Sequence, residues 1–546
     1  MHRIATAPGD WQPGETGTVL VEQTPAPIVF LTAADTELQA LAAAVSSLPP
    51  DFAAVRGVNL LRLQQQVVID QYAETVLSHA RAIVLRVLGG RAYWSYGLEV
   101  VTELARSRGI ALVVLPGDEQ VDLELIEHST VPLTLAGLLW QYCKAGGAVN
   151  LGRALQVLSD SCFSSNYRPG SPIETPRTGL YETTEVDPHR PTVGILFYRA
   201  HLLSANTGVI DALATALHAK GLNARCVYAY SPKEPESLTI LGKYFQGIDC
   251  LINTTSFSLA RLDADEPDLS FWEALDVPVL QAVLSSDTEE RWAADNRGLS
   301  PRDVAMNVAL PEVDGRIISR AISFKRADHD NPAIESPIVT YHPQPDRIDF
   351  VAELACRWVR LRRTPQAERR IALVLANYPN RDGRLANGVG LDTPASCVAV
   401  LKALAEAGYD TGESLPKDGD ALIKLLTGTV TNDVEGFDYR PLLQWVEETE
   451  YAQFFETLPA SVQTSVSERW GPPPGSLRLR PEGLPVSGVR LGNVFVAIQP
   501  ARGYDSDPAL NYHAPDLQPP HPYFAFYYWL RTVLRADAVI HLGKHG

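Results

Sequence analysis

Cysteine is scarce in this chain of 546 residues, and its spacing excludes one kind of metal-bound domain. The six cysteines, at positions 143, 162, 226, 250, 356 and 397, lie far apart, and no Cys-x-x-Cys pair occurs. Zinc knuckles are built from such pairs, so a knuckle is excluded. A disulfide framework is not favoured either, because such frameworks belong to small, cysteine-rich, secreted domains. We therefore expect a reduced, cytoplasmic protein.

Long apolar runs and an excess of basic charge are also lacking. No window approaches the roughly 18 consecutive apolar residues of a membrane-spanning helix. The first residues, MHRIATAPGDW, lack the pattern of a secretion signal. The 47 basic and 64 acidic side chains leave a net charge of −17, which repels a nucleic-acid backbone. We expect neither a membrane nor a nucleic acid as partner.

A nucleotide-binding P-loop is missing as well. The Gly-Lys pairs at 242–243 and 543–544 are followed by Tyr244 and His545, where a P-loop needs Ser or Thr to hold its metal. If the protein uses nucleotide energy, a partner is expected to supply it.

Apolar runs alternate with helix-length amphipathic segments along most of the chain. This alternation predicts an α/β fold with several βα-repeat (Rossmann- or flavodoxin-like) domains and mostly parallel sheets. The predicted strands lie at 27–32, 82–88, 110–116, 192–198, 224–230, 250–253, 277–283, 370–376, 494–498 and 538–541.

Proline-rich and irregular stretches suggest the domain boundaries. We predict an N-terminal α/β domain, a Pro-rich connector, a second α/β domain and a third α/β unit, at 1–163, 164–191, 192–349 and 350–546. The second domain is expected to contain an irregular stretch at 325–346, and the third a helical insertion at about 418–475. The chain ends at Gly546 directly after a predicted strand, so we expect it to be truncated at the C-terminus.

Polar residues follow two strands of the second domain. Arg199 and His201 come after one strand, and Asn253 and Ser256 after another. Loops at the carboxyl ends of parallel strands line ligand crevices. Arginine suits carboxylate binding, and histidine suits proton transfer or metal binding. A strand-end arginine that pairs with a local acid is an equally good explanation of Arg199.

The glycine-rich turn at 387–394 leads into a predicted helix. Thr393 can cap that helix, and the free N–H groups of a helix start bind anions such as carboxylates. A purely structural turn stays open as the alternative, because the third glycine of a dinucleotide fingerprint is missing.

The last fifty residues are rich in groups that bind metals or transfer protons. They include Gln499, Arg502, Tyr504, Asp505, His521, His541, Lys544 and His545. Imidazole and carboxylate suit Co²⁺ or Zn²⁺. A single histidine is more often structural, but clustering at strand ends favours a metal or acid–base site. The aromatic helix that begins near Tyr523 is expected to pack in the core.

Five segments resemble one known family. They are the run HPYFAFYYWLRTVLRADAVIHLGKHG at 521–546 and those at 193–207, 298–325, 378–396 and 492–508. On these segments the chain is identified as a member of the CobN/magnesium chelatase H subunit family, and it resembles the N-terminal part of those large subunits. Lys544 matches the cobalt type, because the magnesium type usually has Thr at that position.

The resemblance implies a function and partners. The large subunit binds the tetrapyrrole and the metal, and inserts Co²⁺ into hydrogenobyrinic acid a,c-diamide during aerobic cobalamin (vitamin B12) biosynthesis. CobS and CobT type AAA+ subunits hydrolyse ATP with Mg²⁺. A magnesium chelatase H subunit, which inserts Mg²⁺ into protoporphyrin IX, and a non-catalytic tetrapyrrole-binding fragment are the alternatives. The family's HGxxEWLPG motif continues beyond Gly546, so this piece alone is expected to be inactive.

The resemblance and the residue chemistry together suggest roles for the candidate residues. His521, His541, His545 and Asp505 would transfer protons or pass the metal, with His541 and His545 as metal ligands. The candidates for substrate binding are Arg199, His201, Asn253, Ser256, Thr393, Gln499, Arg502, Tyr504 and Lys544.

Overall fold

The structure, a computed structural model, divides the chain into two compact units, Met1–Val359 and Arg360–Gly546. It describes residues 20–117, 120–182, 186–260, 266–377, 380–388, 390–475, 479–503 and 517–543. None of the helices in these ranges is long and apolar enough to cross a membrane.

The first unit begins with a four-stranded parallel sheet of order β2-β1-β3-β4. Its strands are β1 (Ile28–Thr32), β2 (Val55–Asn59), β3 (Ala82–Val87) and β4 (Ala111–Pro116). Its helices are α1 (Asp35–Ser46), α2 (Gln66–Thr75), α3 (Ser95–Arg108), α4 (Leu123–Ile126), α5 (Leu133–Ala145) and α6 (Ala148–Cys162). Helices α1, α5 and α6 cover one face and α2 and α3 the other, which is why the strands are apolar on both sides.

The second sheet of this unit has seven strands in the order β11-β10-β9-β8-β6-β7-β5. The strands are β5 (Thr178–Tyr181), β6 (Thr192–Tyr198), β7 (Asn223–Ala229), β8 (Cys250–Asn253), β9 (Val279–Leu284), β10 (Ile317–Asn331) and β11 (Ser336–Pro343). The helices are α7 (Arg199–Leu203), α8 (Gly208–Ala219), α9 (Pro235–Tyr244), α10 (Ser270–Leu275), α11 (Glu289–Ala294), α12 (Pro301–Val304), α13 (Leu310–Val313) and α14 (Pro345–Arg363). The edge strands β5 and β11 are antiparallel, and the central strands are parallel.

The stretch at 325–346 was expected to be irregular, and this prediction is wrong. Strand β10 runs on to Asn331, and β11 fills most of the rest, so that the two strands pair as an antiparallel hairpin. Pro332 lies in the turn of the hairpin, and Pro337 lies in the edge strand β11. Proline is tolerated at both kinds of position, so the prolines that suggested a loop are compatible with a hairpin.

The β10–β11 hairpin fastens the second sheet to the first. The backbone N–H of Gly57 in β2 donates to the carbonyl oxygen of Ile334 at 3.1 Å. The Ile334 side chain is fully buried in the core under the first sheet. Arg56 forms an ion pair of 2.8 Å with Glu335. The hairpin therefore joins the two sheets within one compact unit.

The second unit is built on a four-stranded sheet of order β17-β18-β12-β19. Its strands, with two small two-stranded pairs, are β12 (Ile371–Leu375), β13 (Asn387–Gly388), β14 (Leu391–Asp392), β15 (Trp445–Val446), β16 (Leu484–Pro485), β17 (Gly488–Leu491), β18 (Val494–Ile498) and β19 (Ala538–Leu542). Its helices are α15 (Thr393–Glu406), α16 (Gly419–Thr427), α17 (Glu448–Glu456), α18 (Ala460–Trp470) and α19 (His521–Thr532). Strands β12, β18 and β19 are parallel, so their carboxyl ends lie at one edge.

The predicted fold class, α/β with several mostly parallel sheets, is confirmed. Helices α16, α17 and α18 lie in the region predicted as a helical insertion. Strand β2 was not predicted, because its sequence, VRGVN, interrupts the apolar run with Arg56, Gly57 and Asn59.

Candidate functional site

A cavity of about 840 Å³ lies in the first unit, among loops that follow strands of both sheets. Its lining includes the residues after β6, the loop after β8 and the first turn of α1. The hairpin contributes Lys325, Val339 and Tyr341. This volume lies within the usual range of small-molecule sites, about 300–1,000 Å³. The cavity is therefore large enough to enclose much of a cofactor-sized ligand.

Three of the four predicted residues of the second domain meet in this cavity, namely Arg199, His201 and Ser256. Arg199 is nearly buried, and its Nη2 donates to the carbonyl oxygen of Thr175 at 2.7 Å. The partner of this nitrogen is thus a backbone carbonyl.

Asn253, the fourth residue, does not line the cavity. It is completely buried at the end of β8, and its Nδ2 donates to Gln281 at 2.7 Å and to the carbonyl oxygen of Thr255 at 3.0 Å. These bonds use both donors of the amide, so Asn253 holds the loop and does not offer a group to a ligand. Its prediction as a substrate-binding residue is not supported by this geometry.

The loop after β8 is held rigidly against the cavity. Ser256 Oγ donates to Asn307 at 2.6 Å, and Tyr198 donates its hydroxyl proton to the Ser256 carbonyl at 3.1 Å. Phe257 has a φ of +65°, a left-handed conformation that is unfavourable for a side chain of this size. Its N–H donates to the Met306 carbonyl at 2.8 Å, which fixes this conformation. The cavity wall is therefore preorganised.

A buried ion pair lies behind this loop. Arg316 and Asp314 are 2.5 Å apart, and both side chains are fully buried. Arg316 also donates to the Thr255 carbonyl at 3.3 Å, and its guanidinium stacks 5.0 Å from the Trp272 ring. Burial lowers the pKa of Arg316, and the Asp314 carboxylate opposes that effect. The pair ties the loop to the start of β10.

His201 is neutral at physiological pH. Burial lowers its pKa to about 4, and the nearby positive charge of Lys325 acts in the same direction. Its ring packs edge-to-face on Tyr341, with the centroids 5.5 Å apart. A neutral imidazole accepts a hydrogen bond or binds a metal ion, but it is a weak base at this pKa.

Lys325, Arg302 and Tyr341 were missed as individual residues by the sequence analysis. Lys325 lies 5.6 Å from the centre of the Tyr341 ring, and Arg302 also lines the cavity. Burial lowers the pKa of Lys325 to about 8. Lys325 and Arg302 both fall in the 298–325 segment that carries the family resemblance. That segment was the available signal, but it singled out no residue.

A second cluster lies in the other unit, around the exposed side of α19. Tyr523 and Tyr527 stack with their ring centres 5.2 Å apart. The Arg502 guanidinium lies 5.3 Å from Tyr523, and the His541 ring lies 6.1 Å from Tyr527. Gln499 hydrogen-bonds to the Tyr527 side chain. The structure therefore brings three predicted residues, Gln499, Arg502 and His541, to one aromatic surface.

The chain is similar to known proteins of one family along most of its length. The profile of a family described as "CobN/Magnesium Chelatase" matches residues 140–546. The chain belongs to this family. An aerobic cobaltochelatase subunit CobN from Pseudomonas aeruginosa is 43% identical over 559 aligned residues, which cover 100% of this chain and 44% of that protein. A CobN from Sinorhizobium sp is 40% identical, again with coverage of 100% and 44%.

A solved structure and a more distant relative agree with this membership. The catalytic subunit of cobaltochelatase from Mycobacterium tuberculosis has a TM-score of 0.79 and 35% identity, over 95% of this chain and 43% of that one. The magnesium chelatase H subunit of Rhodobacter capsulatus is 28% identical over 75% of this chain and 36% of its own length. The chain thus spans less than half the length of the family members that it matches.

His521 is a family motif residue that is buried in the second unit. It is 1% exposed, its Nδ1 pairs with the Tyr451 hydroxyl at 2.8 Å, and its Nε2 pairs with the Gly471 carbonyl at 2.9 Å. Burial lowers its pKa. Because both ring nitrogens are engaged, this arrangement does not support the catalytic role predicted for His521, and we assign it to the core of the second unit.

The helix start at Thr393 differs from the prediction by one residue. Asp392 is the N-cap, and its carboxylate accepts from the Ala395 N–H at 3.0 Å. Thr393 is fully buried, and its Oγ1 has no hydrogen-bond partner among the residues that the structure describes. The aromatic helix α19 was expected in the core, and Phe526 and Trp529 are buried there, whereas Tyr523 and Tyr527 are half-buried.

Four predicted residues, Tyr504, Asp505, Lys544 and His545, lie outside the described residues. Within the described ranges, no group of three or more His, Cys, Asp or Glu side chains could hold a metal ion. The candidate metal site on His541 and His545 therefore stays a prediction.

Proposed function

We propose that this chain is the N-terminal part of the tetrapyrrole- and metal-binding large subunit of a cytoplasmic, ATP-dependent cobaltochelatase. The reaction would insert Co²⁺ into hydrogenobyrinic acid a,c-diamide in aerobic cobalamin biosynthesis. The observation that carries the proposal is the similarity along the whole chain to two proteins named as cobaltochelatase subunits, at 43% and 40% identity. The similarity to the magnesium chelatase relative is lower, at 28%.

The cavity of the first unit is the proposed site of the ring. It combines the volume of a large ligand with rigid walls and polar groups that converge from three loops. Arg199 and Ser256 would hold the acid and amide side chains of the macrocycle. The neutral imidazole of His201 would accept a hydrogen bond from a pyrrole N–H or an amide.

Insertion must remove two pyrrolic protons and strip water from the metal. His541 lies on β19, and partial desolvation by its neighbours lowers its pKa, which favours the neutral imidazole. We propose that His541 accepts a proton or passes the metal, with the aromatic surface of Tyr523 and Tyr527 beside it.

ATP hydrolysis is assigned to partners. The chain has no P-loop, so CobS and CobT type AAA+ subunits would bind ATP and Mg²⁺. Their motion would help to distort the ring and to exchange substrate and product.

The experiment that tests the proposed function is a titration of the purified chain, followed by absorbance and fluorescence. The ligand is metal-free hydrogenobyrinic acid a,c-diamide, and protoporphyrin IX is the control ring. We expect saturable binding that prefers the corrinoid. A preference for protoporphyrin would favour a magnesium chelatase instead, and a folded chain that binds neither ring would contradict the proposal.

A non-catalytic tetrapyrrole-binding fragment is the second candidate, because the chain spans only 44% of its CobN relatives. Such a fragment would bind the corrinoid but support no insertion with Co²⁺, ATP and the AAA+ subunits, even when joined to the portion of a relative that lies beyond the match.

A further inference from the structure

Two cations of the cavity have no carboxylate partner among the residues that the structure describes. Lys325 and Arg302 both line the cavity, and neither forms an ion pair within the described ranges. The charge of Arg302 acts on Lys325 and lowers its pKa, so the two groups are close enough to repel each other. Lys325 is partly buried, whereas Arg302 is exposed at the cavity wall. A partly desolvated ammonium group next to a second cation is stabilised when an anion binds beside it.

The acids near Lys325 already have other partners. The Asp303 carboxylate accepts from the Ser285 hydroxyl at 2.9 Å and from the Ser286 N–H at 3.0 Å. Asp35 accepts from Asn59 at 2.6 Å, and Asp287 accepts from Thr288 and Arg291. These carboxylates raise the pKa of Lys325 from a distance, and none is within ion-pair distance of it.

The position of Lys325 is fixed by the sheet. It pairs with Tyr341 across the β10–β11 hairpin, and its backbone N–H donates to the Asp287 carbonyl at 2.9 Å. Its ammonium group also faces the Tyr341 ring, which favours a cation there. A lysine on a paired strand, beside an aromatic ring and in a cavity, is built to receive an anionic group.

We propose that Lys325 and Arg302 form a carboxylate-binding subsite in this cavity. The identity of the ligand rests on the proposed function: the subsite takes a carboxylate side chain of the metal-free macrocycle. The surrounding wall includes Leu151, Leu203, Met306 and Phe257, which suit the apolar ring that carries the carboxylate. The two cations orient the ring by one edge, and the apolar residues cover its face.

The test is a thermodynamic cycle in which both the ligand and one residue of the full chain are changed. Dissociation constants are measured for hydrogenobyrinic acid a,c-diamide and for its methyl ester, which lacks carboxylates. We expect Lys325→Met to weaken binding of the acid about tenfold or more, as for a lost charge-assisted contact, and to leave binding of the ester within about twofold. Arg302→Gln should weaken binding of the acid in the same selective way.

Controls separate this effect from misfolding. Lys243→Met removes an exposed lysine of α9 that does not line the cavity, and it should leave both affinities unchanged. Lys325→Gln keeps a polar side chain and should reproduce the loss if charge is the cause. Thermal unfolding midpoints of all variants identify any that are poorly folded, and for those the acid-to-ester ratio is the deciding quantity.

The outcomes distinguish the subsite from the proposed function. Corrinoid binding that is insensitive to Lys325→Met, or an equal loss for acid and ester, overturns the subsite and leaves the proposed function standing. If neither ring binds the wild-type chain, the proposed function fails and citrate becomes the probe. Citrate binding that depends on Lys325 then supports the subsite, and its absence overturns it. Inorganic phosphate that binds as tightly as citrate overturns the assignment to a carboxylate.

Discussion

Burial lowers the pKa values of His201 and Lys325 in the cavity of the first unit. His201 is neutral at pH 7 because its pKa is lowered to about 4, whereas Lys325, with a pKa of about 8, is mostly protonated. The two residues therefore have different uses. The imidazole accepts hydrogen bonds, and the ammonium group supplies the charge that an acidic ligand needs.

Binding of a carboxylated ring should depend on pH above neutrality. Lys325 must be protonated to attract the carboxylate, so affinity should fall as pH rises through about 8, by up to about tenfold per pH unit. His201 stays neutral across this window, and burial raises the pKa of Tyr341 well above it. The other charged groups that act on Lys325 belong to residue types that do not titrate in this window, and they are Arg302, Asp35, Asp287 and Asp303. Fluorescence titrations from about pH 6.5 to about 9.5 measure the effect, and Lys325→Met should abolish it.

Replacement of His521 should affect stability first. His521→Ala removes two hydrogen bonds and leaves a cavity beside Tyr451, so the free energy of unfolding should fall by about 2–4 kcal/mol. Tyr451→Phe removes only one of these bonds and should cost about 1–2 kcal/mol. Chemical denaturation monitored by tryptophan fluorescence gives both values. Unchanged stability with His521→Ala would return this residue to the candidate site.

The β10–β11 hairpin is the element that shapes the cavity. Its arms bring Lys325 and Tyr341 to the cavity wall, and its turn inserts Ile334 into the core of the first sheet. The cavity therefore depends on the hairpin, which contacts residues far from it in sequence, as Ile334 contacts Gly57. The rigidity of the cavity therefore follows from how well the turn is docked.

A substitution that loosens the packing of the hairpin turn should lower the affinity of the cavity for the ring, although the turn lies outside the cavity. Ile334→Ala deletes a fully buried side chain and should lower the free energy of unfolding by about 2–4 kcal/mol. Ring affinity should also fall, although Ile334 does not line the cavity. Denaturant unfolding and the ring titration measure the two effects. Val67→Ala, at a position 60% exposed on α2, is the control and should change neither. Full affinity in a destabilised Ile334→Ala variant would show that the cavity does not depend on the docked turn.

The whole chain corresponds to only part of the length of its relatives. The chain matches a CobN relative along its entire length but spans 44% of that relative. Ring binding is proposed to lie within these residues, whereas metal insertion is proposed to need groups from the remaining part.

A chimera tests this division. We expect the chain alone to bind the corrinoid yet to show no insertion of Co²⁺ when ATP and the AAA+ subunits are added. Fusion to the portion of the Pseudomonas aeruginosa relative that lies beyond the match should restore insertion, followed by the absorbance of the cobalt corrinoid. His541→Ala in the chimera should reduce the rate, and Lys243→Met should not. Insertion by the unfused chain would contradict the division.

The strands that are apolar on both faces could be predicted from the order of the amino acids. Strands β1, β3, β6 and β12 were predicted because a buried parallel strand needs a continuous run of Val, Ile and Leu. The position of Arg199, His201 and Ser256 at strand ends also followed, because parallel strands present their carboxyl ends at one edge. The family followed from long motifs, and the comparisons confirm it.

Which polar groups face the cavity depends on contacts that form only in the folded chain. Nothing local distinguishes Asn253, whose amide is used within the protein, from Ser256, which lines the cavity. His521 and His541 were both predicted to be catalytic, but His521 is buried against Tyr451 and His541 is exposed. Lys325 lies in a stretch whose sequence predicts a loop. It reaches the cavity only because β10 pairs with β11 and the turn of this hairpin packs against the first sheet. The exposure of each of these side chains depends on contacts between residues that are distant in sequence, and local sequence patterns do not predict those contacts.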